Sequence, residues 1–351
     1  MKRETWNLEH GTQDPERETW NLEHGTQNPE RETWNVEHET SLPWLLEPEN
    51  PSVRYWTLRD LLDRPADDPE VRAAQAAIPT SPPVAELLAA QKSDGYWFGK
   101  DYYLPKHYGT FWVLSVLADL GLTADNEQVR RGCEFLFTHQ RDDGEFCRRR
   151  RVVGQGLVWE AQAEPCTHAR IVRFLMQFGY GDDPRTRAAI DWLLTSQRDD
   201  GMWLCHWARG RYGCLRATLD YLRAAVLDAA TAAHPATARA AAAIYDLLLQ
   251  PRMGRYHVGD LWTILEYPYF GYSVISALDA LARLGYTLDQ PKIAQALAYL
   301  LSRQSPDGTW PLDQRPSRPP FDVGQPGTPN KWLTLDALRV RKLLHRHNRR
   351  P

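Results

Sequence analysis

Trp192-Leu193-Leu194-Thr195-Ser196-Gln197-Arg198-Asp199-Asp200-Gly201-Met202-Trp203 decides the fold, because the chain writes this pattern several times. The same order of apolar run, Gln, Asp-Gly and aromatic residue stands at Leu87–Trp97, Phe135–Phe146 and Tyr299–Trp310, and a degenerate copy runs from Leu247 to Tyr256. The successive glutamines Gln91, Gln140, Gln197, Gln250 and Gln304 are 49, 57, 53 and 54 residues apart. A period of about 50 residues marks a supersecondary unit that buries its apolar face only by stacking on its neighbours.

Each unit reads as two helices. One ends at the Gln, where Asp-Gly supplies the positive-φ residue that stops a helix, and the aromatic two residues later can fold back onto the apolar face. After a loop comes a more hydrophobic helix, predicted over Tyr108–Leu120, Thr167–Phe178, Leu215–Leu227, Gly271–Leu284 and Trp332–Leu344. Gly121, Gly179 and Gly285 close three of these, and Asp183-Pro184 opens a capped helix through Ser196. Ahead of the repeats, Asn50-Pro51 starts a helix through Leu62 with Val53, Trp56, Leu58, Leu61 and Leu62 as buried positions, and Asp68-Pro69 starts the next. No alternating strand pattern competes, so the fold class is all-α.

Residues 1–40 differ. Arg3-Glu4-Thr5-Trp6-Asn7-Leu8-Glu9-His10 recurs at Arg17–His24 and, with Val36 for Leu, at Arg31–His38, a period of 14. Each unit offers one Trp and one Leu and at most one short helix, too little for a core, so this low-complexity segment is expected to be disordered.

The 351 residues include 42 Lys+Arg and 45 Asp+Glu, a formal charge of −3, with 42% hydrophobic and 25% charged residues. That balance offers no basic excess for nucleic acid. No apolar run approaches the roughly 20 residues needed to cross a bilayer, and Met1-Lys2-Arg3-Glu4-Thr5 leads into no secretory h-region. Five cysteines are too few for a disulfide framework and suit a reducing compartment, so a cytoplasmic location is expected.

The Gln-x-x-Asp-Gly-x-Trp segments resemble the QW-type repeats of the squalene cyclase and protein prenyltransferase superfamily. The resemblance covers roughly residues 45–345. It implies an α/α toroid of about five to six helical hairpins over residues 41–345, followed by a basic tail at 346–351. Asn50-Pro51-Ser52-Val53-Arg54-Tyr55-Trp56-Thr57-Leu58-Arg59-Asp60 and Gly179-Tyr180-Gly181-Asp182-Asp183-Pro184-Arg185 are also similar to a group of bacterial cyclase-like proteins of unassigned activity. The departures limit what carries over. No Asp-x-Asp-Asp supplies the acid of class II cyclases, because no Asp-Asp pair has an Asp two positions before it. The Asp-Asp-x-x-Asp diphosphate motif and the Asp-x-Cys of zinc prenyltransferases are missing as well. Where the bacterial relatives tend to carry an Asp after an aromatic, this chain has Tyr272-Ser273.

In a toroid of stacked hairpins the repeat turns and the starts of the following helices meet at one end. Cys147, Cys166, Cys205 and Cys214 belong to two consecutive junctions there, with His168 and His206 as substitute ligands, a soft donor set suited to tetrahedral zinc. Without a Cys-x-x-Cys spacing, each is equally readable as a small buried residue, as Cys133 is. The same geometry brings His107, Tyr108, His168, Tyr269, Tyr272 and Trp332 toward one opening, either as packing or as the wall of an apolar ligand site. Asp101, Asp260 and Glu266 are the acid candidates, because Asp260-Leu261-Trp262 and Glu266-Tyr267-Pro268-Tyr269 lack strong turn chemistry. Arg148–Arg151 is a basic run, readable as a solvated loop or an anion holder. The leading expectation is an isoprenoid-like or otherwise apolar ligand within the ring, beside a Cys/His zinc site. The competing one is a non-catalytic protein-binding scaffold with zinc as a staple. A sugar-processing toroid would need paired carboxylates across a cleft.

Overall fold

The structure, a computed structural model, describes residues 39–160, 164–204, 212–250, 262–268, 272–316 and 321–347, with residues 35, 252–253, 257–258 and 319 between them. The N-terminal tandem repeats lie outside the described residues.

The chain is helical, as its repeat predicts. The elements are α1 (Leu42–Leu45), α2 (Pro51–Trp56) continuing into a π-helical turn (Thr57–Leu61), α3 (Pro69–Ala77), α4 (Pro82–Ala89), α5 (Thr110–Asp119) and α6 (Glu127–Phe137). There follow α7 (Pro165–Gln177), α8 (Pro184–Ser196), α9 (Leu215–Ala225), α10 (Ala229–Ala232) and α11 (Pro235–Leu247), then α12 (Val274–Arg283), α13 (Pro291–Ser302) and α14 (Lys331–His347). The starts are chemically marked. Pro occupies the first turn of α2, α3, α8, α11 and α13, and Asn50, Asp68, Asn126 and Asp183 accept N–H bonds as caps. Ser273, at the position where the bacterial relatives tend to carry Asp, closes a reciprocal capping box with Ser276.

The hydrophobic helices α5, α7, α9, α12 and α14 pack in succession, and α14 then packs on α2 and its π turn. The circuit closes where the Trp56 indole N–H donates to the Asp119 carbonyl at 3.1 Å. The amphipathic helices α6, α8, α11 and α13 lie outside this inner ring, packed on α5, α7, α9 and α12 respectively.

The repeat turn is the joint of the outer layer. Gln91 Nε2 donates to the carbonyls of Gly95 (2.9 Å) and Gln128 (2.7 Å), tying the turn to the start of α6. Gln140 does the same to Gly144 and Arg185, and Gln197 to Gly201 and Ala236. The indoles fold back as expected: Trp97, Trp203 and Trp310 donate Nε1–H to the carbonyls of Leu87, Leu193 and Leu300. Gly144 has φ +91°, and a Cβ there would collide with the Ala188 carbonyl, so both conformation and close approach require glycine. Of the Asp-Asp pairs, Asp143 and Asp200 brace repeat turns while Asp68 and Asp183 cap helices, which accounts for them structurally.

Three features add to the sequence reading. Thr40 Oγ1 donates to Asp307 O at 2.8 Å and Glu39 pairs with Arg341 at 2.8 Å, so residues 39 and 40 dock on the last repeat turn and on α14. In the degenerate copy, Gln250 Nε2 donates back to the Asp246 carbonyl in α11 at 2.7 Å. Arg148–Arg151 is not a loop throughout, although Arg149 is exposed as a solvated run would be. It enters a β-hairpin, β1 (Arg149–Val152) paired antiparallel with β2 (Gly156–Trp159), in which Arg149 stacks 4.0 Å over Trp159.

Candidate functional site

The inner helices carry charge on the face they share. In α7, Cys166, Arg170 and Arg173 fall at helical spacing, and in α9 so do Arg216, Asp220 and Arg223. Arg170 meets Asp220 at 2.9 Å; Arg173 lies 3.4 Å from Asp119 and 3.7 Å from Asp220. Arg223 feels Asp119, Asp220, Asp279 and Asp336, which come from α5, α9, α12 and α14. Arg339 pairs with Asp60 and Asp336, each at 2.6 Å, and Arg283 with Asp279 at 2.9 Å. The later turns of the inner helices are therefore joined by an ion network about a common axis. Arg170, Arg173 and Asp220 are almost wholly buried within it. Burial, with the charge of Arg223, lowers the Arg173 guanidinium to about 10. Sequence reasoning missed this network, although one signal was present: each inner helix after α5 carries an Arg three or four residues from another charge.

The opposite end, where the inner helices begin, is the mouth. Lys106, Arg216 and Glu266 act on one another there. Burial, and secondarily the Arg216 charge, holds the Lys106 ammonium down to about 8, against the pull of Glu266. Burial raises the Glu266 carboxyl, and Arg216, Arg170 and Lys106 oppose that rise. Tyr103 adjoins this group; its phenol is pushed up to about 12 by burial and by the neighbouring Cys166 and Glu164. The Lys106 ammonium lies 6.0 Å from the centre of the Trp112 ring, and further aromatic pairs stand near the starts of the inner helices. His107 stands edge-on to Trp112 at 5.0 Å, Trp262 meets Tyr272 at 4.8 Å, and Tyr267 stacks on Trp332 at 5.3 Å with planes 5° apart.

The predicted site residues divide accordingly. His107 reaches the aromatic cluster, with φ +73° and a ring that burial holds down to about 4. Tyr108 is exposed, whereas Tyr272 and Trp332 are buried packing partners of Trp262 and Tyr267. Of the acids, Asp101 is consumed: it accepts N–H bonds from Tyr103 and Leu104 and holds Arg148 at 2.6 Å. Glu266 belongs to the mouth. Asp260, Tyr269, Cys205 and His206 lie outside the described residues.

His168 is not at the mouth. Its Nδ1 accepts the Phe146 N–H at 3.0 Å and its Nε2–H donates to the Ala189 carbonyl at 2.9 Å. Thr110 and Thr334 accept the corresponding N–H of Trp97 and Trp310, so His168 is the repeat's structural acceptor in larger form. With both nitrogens engaged and burial lowering it to about 4, the ring has no lone pair for a metal. Cys147 donates its thiol to Glu160 O at 3.2 Å. Cys166 and Cys214 do come together, their thiols within hydrogen-bonding reach. Both thiols lie beside Arg216, and among the described residues, which exclude Cys205 and His206, no group of three or more His, Cys, Asp or Glu is arranged for a metal. Nor, among the described residues, is any helix long and apolar enough to cross a membrane.

Comparison with known proteins agrees with this architecture. Residues 74–210 match the family model of the squalene-hopene cyclase C-terminal domain. Squalene–hopene cyclase of Zymomonas mobilis is 30% identical over 156 residues, 41% of this chain and 23% of that enzyme. The enzyme of Bradyrhizobium diazoefficiens is 27% identical over 157 residues, again 23% of its length, so the match spans about a quarter of these relatives. Among solved structures, a protein from Actinoplanes is similar over 84% of this chain and 90% of its own (19% identical, TM-score 0.44). Type II terpene cyclase MstE from Scytonema is similar over 88% and 90% (15% identical, TM-score 0.41). Over residues 74–210 this chain is thus similar to the C-terminal domain of the squalene-hopene cyclases.

Proposed function

We propose that the mouth binds an isoprenoid-like molecule carrying an anionic head group. The observation that supports this is the convergence of Lys106 and Arg216 inside a wall of aromatic rings. The Lys106 ammonium, lowered by burial and secondarily by the Arg216 charge, would gain from an anion that relieves that repulsion and adds charge-assisted hydrogen bonds. The rings of Trp112, Trp262 and Tyr272 would receive the hydrocarbon. For turnover, Glu266 is our candidate proton donor, because burial favours its protonated form. No step in this reading passes through zinc.

One observation favours the scaffold reading instead: ion pairs, not apolar side chains, cross the ring axis beyond the mouth. Tryptophan fluorescence with farnesoic acid and the neutral alcohol farnesol separates the two. The binding reading expects the acid to bind at least about tenfold tighter, and the preference to vanish in Lys106→Met and Arg216→Met. Equal binding of acid and alcohol would remove the anionic head from the proposal. No binding of either would leave the scaffold.

A further inference from the structure

The cysteines of the described residues are not alike. Cys133 is fully buried in α6, and Cys147 spends its thiol on a backbone carbonyl. Cys166 and Cys214 are 48 residues apart in sequence yet adjacent in space. Cys166 is the second residue of α7 and Cys214 is the N-cap of α9, and these two inner helices pack side by side. Cys214 Sγ accepts the Ala217 N–H at 3.5 Å, so it points over the first turn of α9. The Arg216 guanidinium acts on both sulfurs. Cys166 is half-buried at the mouth and so retains access to solvent.

We propose that Cys166 and Cys214 are a redox pair that closes to a disulfide with a low-molecular-weight disulfide as oxidant. Helix N-termini and an adjacent guanidinium favour the thiolate, the form that attacks. Here both sulfurs have a helix N-terminus and share one arginine. The exchange takes two displacements. The Cys166 thiolate attacks one sulfur of oxidised glutathione and expels a glutathione thiolate, leaving a mixed disulfide. The Cys214 thiolate then attacks the Cys166 sulfur and expels the second. The protein dithiol loses two electrons and two protons, and one oxidised glutathione becomes two reduced molecules. The new bond ties the first turns of α7 and α9 together beside Arg216. It does not depend on what the mouth binds.

The test is intact-mass measurement and peptide mapping of the full-length chain after incubation with oxidised glutathione. The oxidised chain should be two hydrogens lighter, with one linked peptide joining Cys166 and Cys214, reversed by dithiothreitol. Cys133→Ser should leave the link unchanged. Cys166→Ser and Cys214→Ser should each abolish it and carry glutathione on the remaining thiol. If either variant fails to fold, the wild-type map alone decides. A link to Cys205, glutathione adducts without a link, or thiols shielded by zinc that a chelator removes would each overturn the proposal.

Discussion

The two ends of the inner ring are made by the same helices and solve opposite problems. Along their later turns, Arg170, Arg173, Arg223, Arg283 and Arg339 lie among Asp60, Asp119, Asp220, Asp279 and Asp336, five cations against five carboxylates. Along their first turns, Lys106 and Arg216 face one another with Glu266 as the nearby carboxyl, among aromatic rings. The comparison teaches where binding can reside in this ring. A network that is neutral and self-paired stabilises a structure but offers nothing to a ligand. An end where cations crowd one another holds a standing preference for an anion. The ring axis itself is polar, not apolar throughout.

The largest expected effect breaks the balanced end. Asp220→Ala strands Arg170 and Arg173 in the interior, and removing one partner of a buried pair costs about 3–5 kcal/mol. Chemical denaturation should show that loss, and adding Arg170→Met should recover part of it. A loss no larger than a surface pair gives would mean that water reaches the network. Next comes the outer joint. Gly144→Ala forces a side chain into positive φ against the Ala188 carbonyl, with a cost of about 2–3 kcal/mol. Gly179→Ala shares the positive φ but meets no neighbour and should cost about 1 kcal/mol. The difference in melting between the two variants isolates the close approach.

His168 sharpens the comparison through pH. Its ring sits buried near 4 while an unfolded histidine titrates near 6.5, so the folded state binds fewer protons between those values. Stability is therefore complete above about pH 6.5 and falls as pH drops through that window, by about 2 kcal/mol at pH 5 from this residue. His107 and His139 are lowered as well and add to the slope. His168→Thr, which restores the acceptor used at Thr110 and Thr334, should flatten the curve without collapsing the fold. An unchanged slope would assign the effect to the other histidines.

What was legible in the sequence follows from the range of the forces. The Gln, Asp-Gly and aromatic pattern specifies local turns, and its helices appear within a few residues of the expected bounds: Pro165–Gln177 against Thr167–Phe178, Val274–Arg283 against Gly271–Leu284. The site was harder because it depends on which faces of distant helices converge. Of the four cysteines expected to meet, Cys166 and Cys214 lie together, Cys147 donates to the Glu160 carbonyl, and Cys205 lies outside the described residues. His168 was expected beside them, but a residue two positions along a helix points elsewhere, and the repeat uses it as the Phe146 N–H acceptor. Asp101 lost its candidacy to Arg148, a contact across 47 residues that no local pattern announces. The axial network was written at helical spacing in plain view. Its meaning required the ring to close, because only then do Asp119, Arg223 and Asp336 share one interior.

The smallest effect on stability tests the other end. Arg216 is half-buried and no ion pair at salt-bridge distance ties it to a carboxylate among the described residues, so Arg216→Met should shift unfolding by no more than about 1 kcal/mol. Its signature should appear in Lys106 instead. Burial is the larger cause of that lysine's depressed value and the Arg216 charge the smaller. Removing the guanidinium should therefore raise the Lys106 titration from about 8 only part of the way toward its ordinary value. Nuclear magnetic resonance of the methylated amine would follow it. A full return would mean that repulsion, not burial, sets the state of the mouth, and that an anion would gain more there than the present geometry implies. No movement would mean that the two cations do not share a site, and the preference for an anionic head would lose its physical basis.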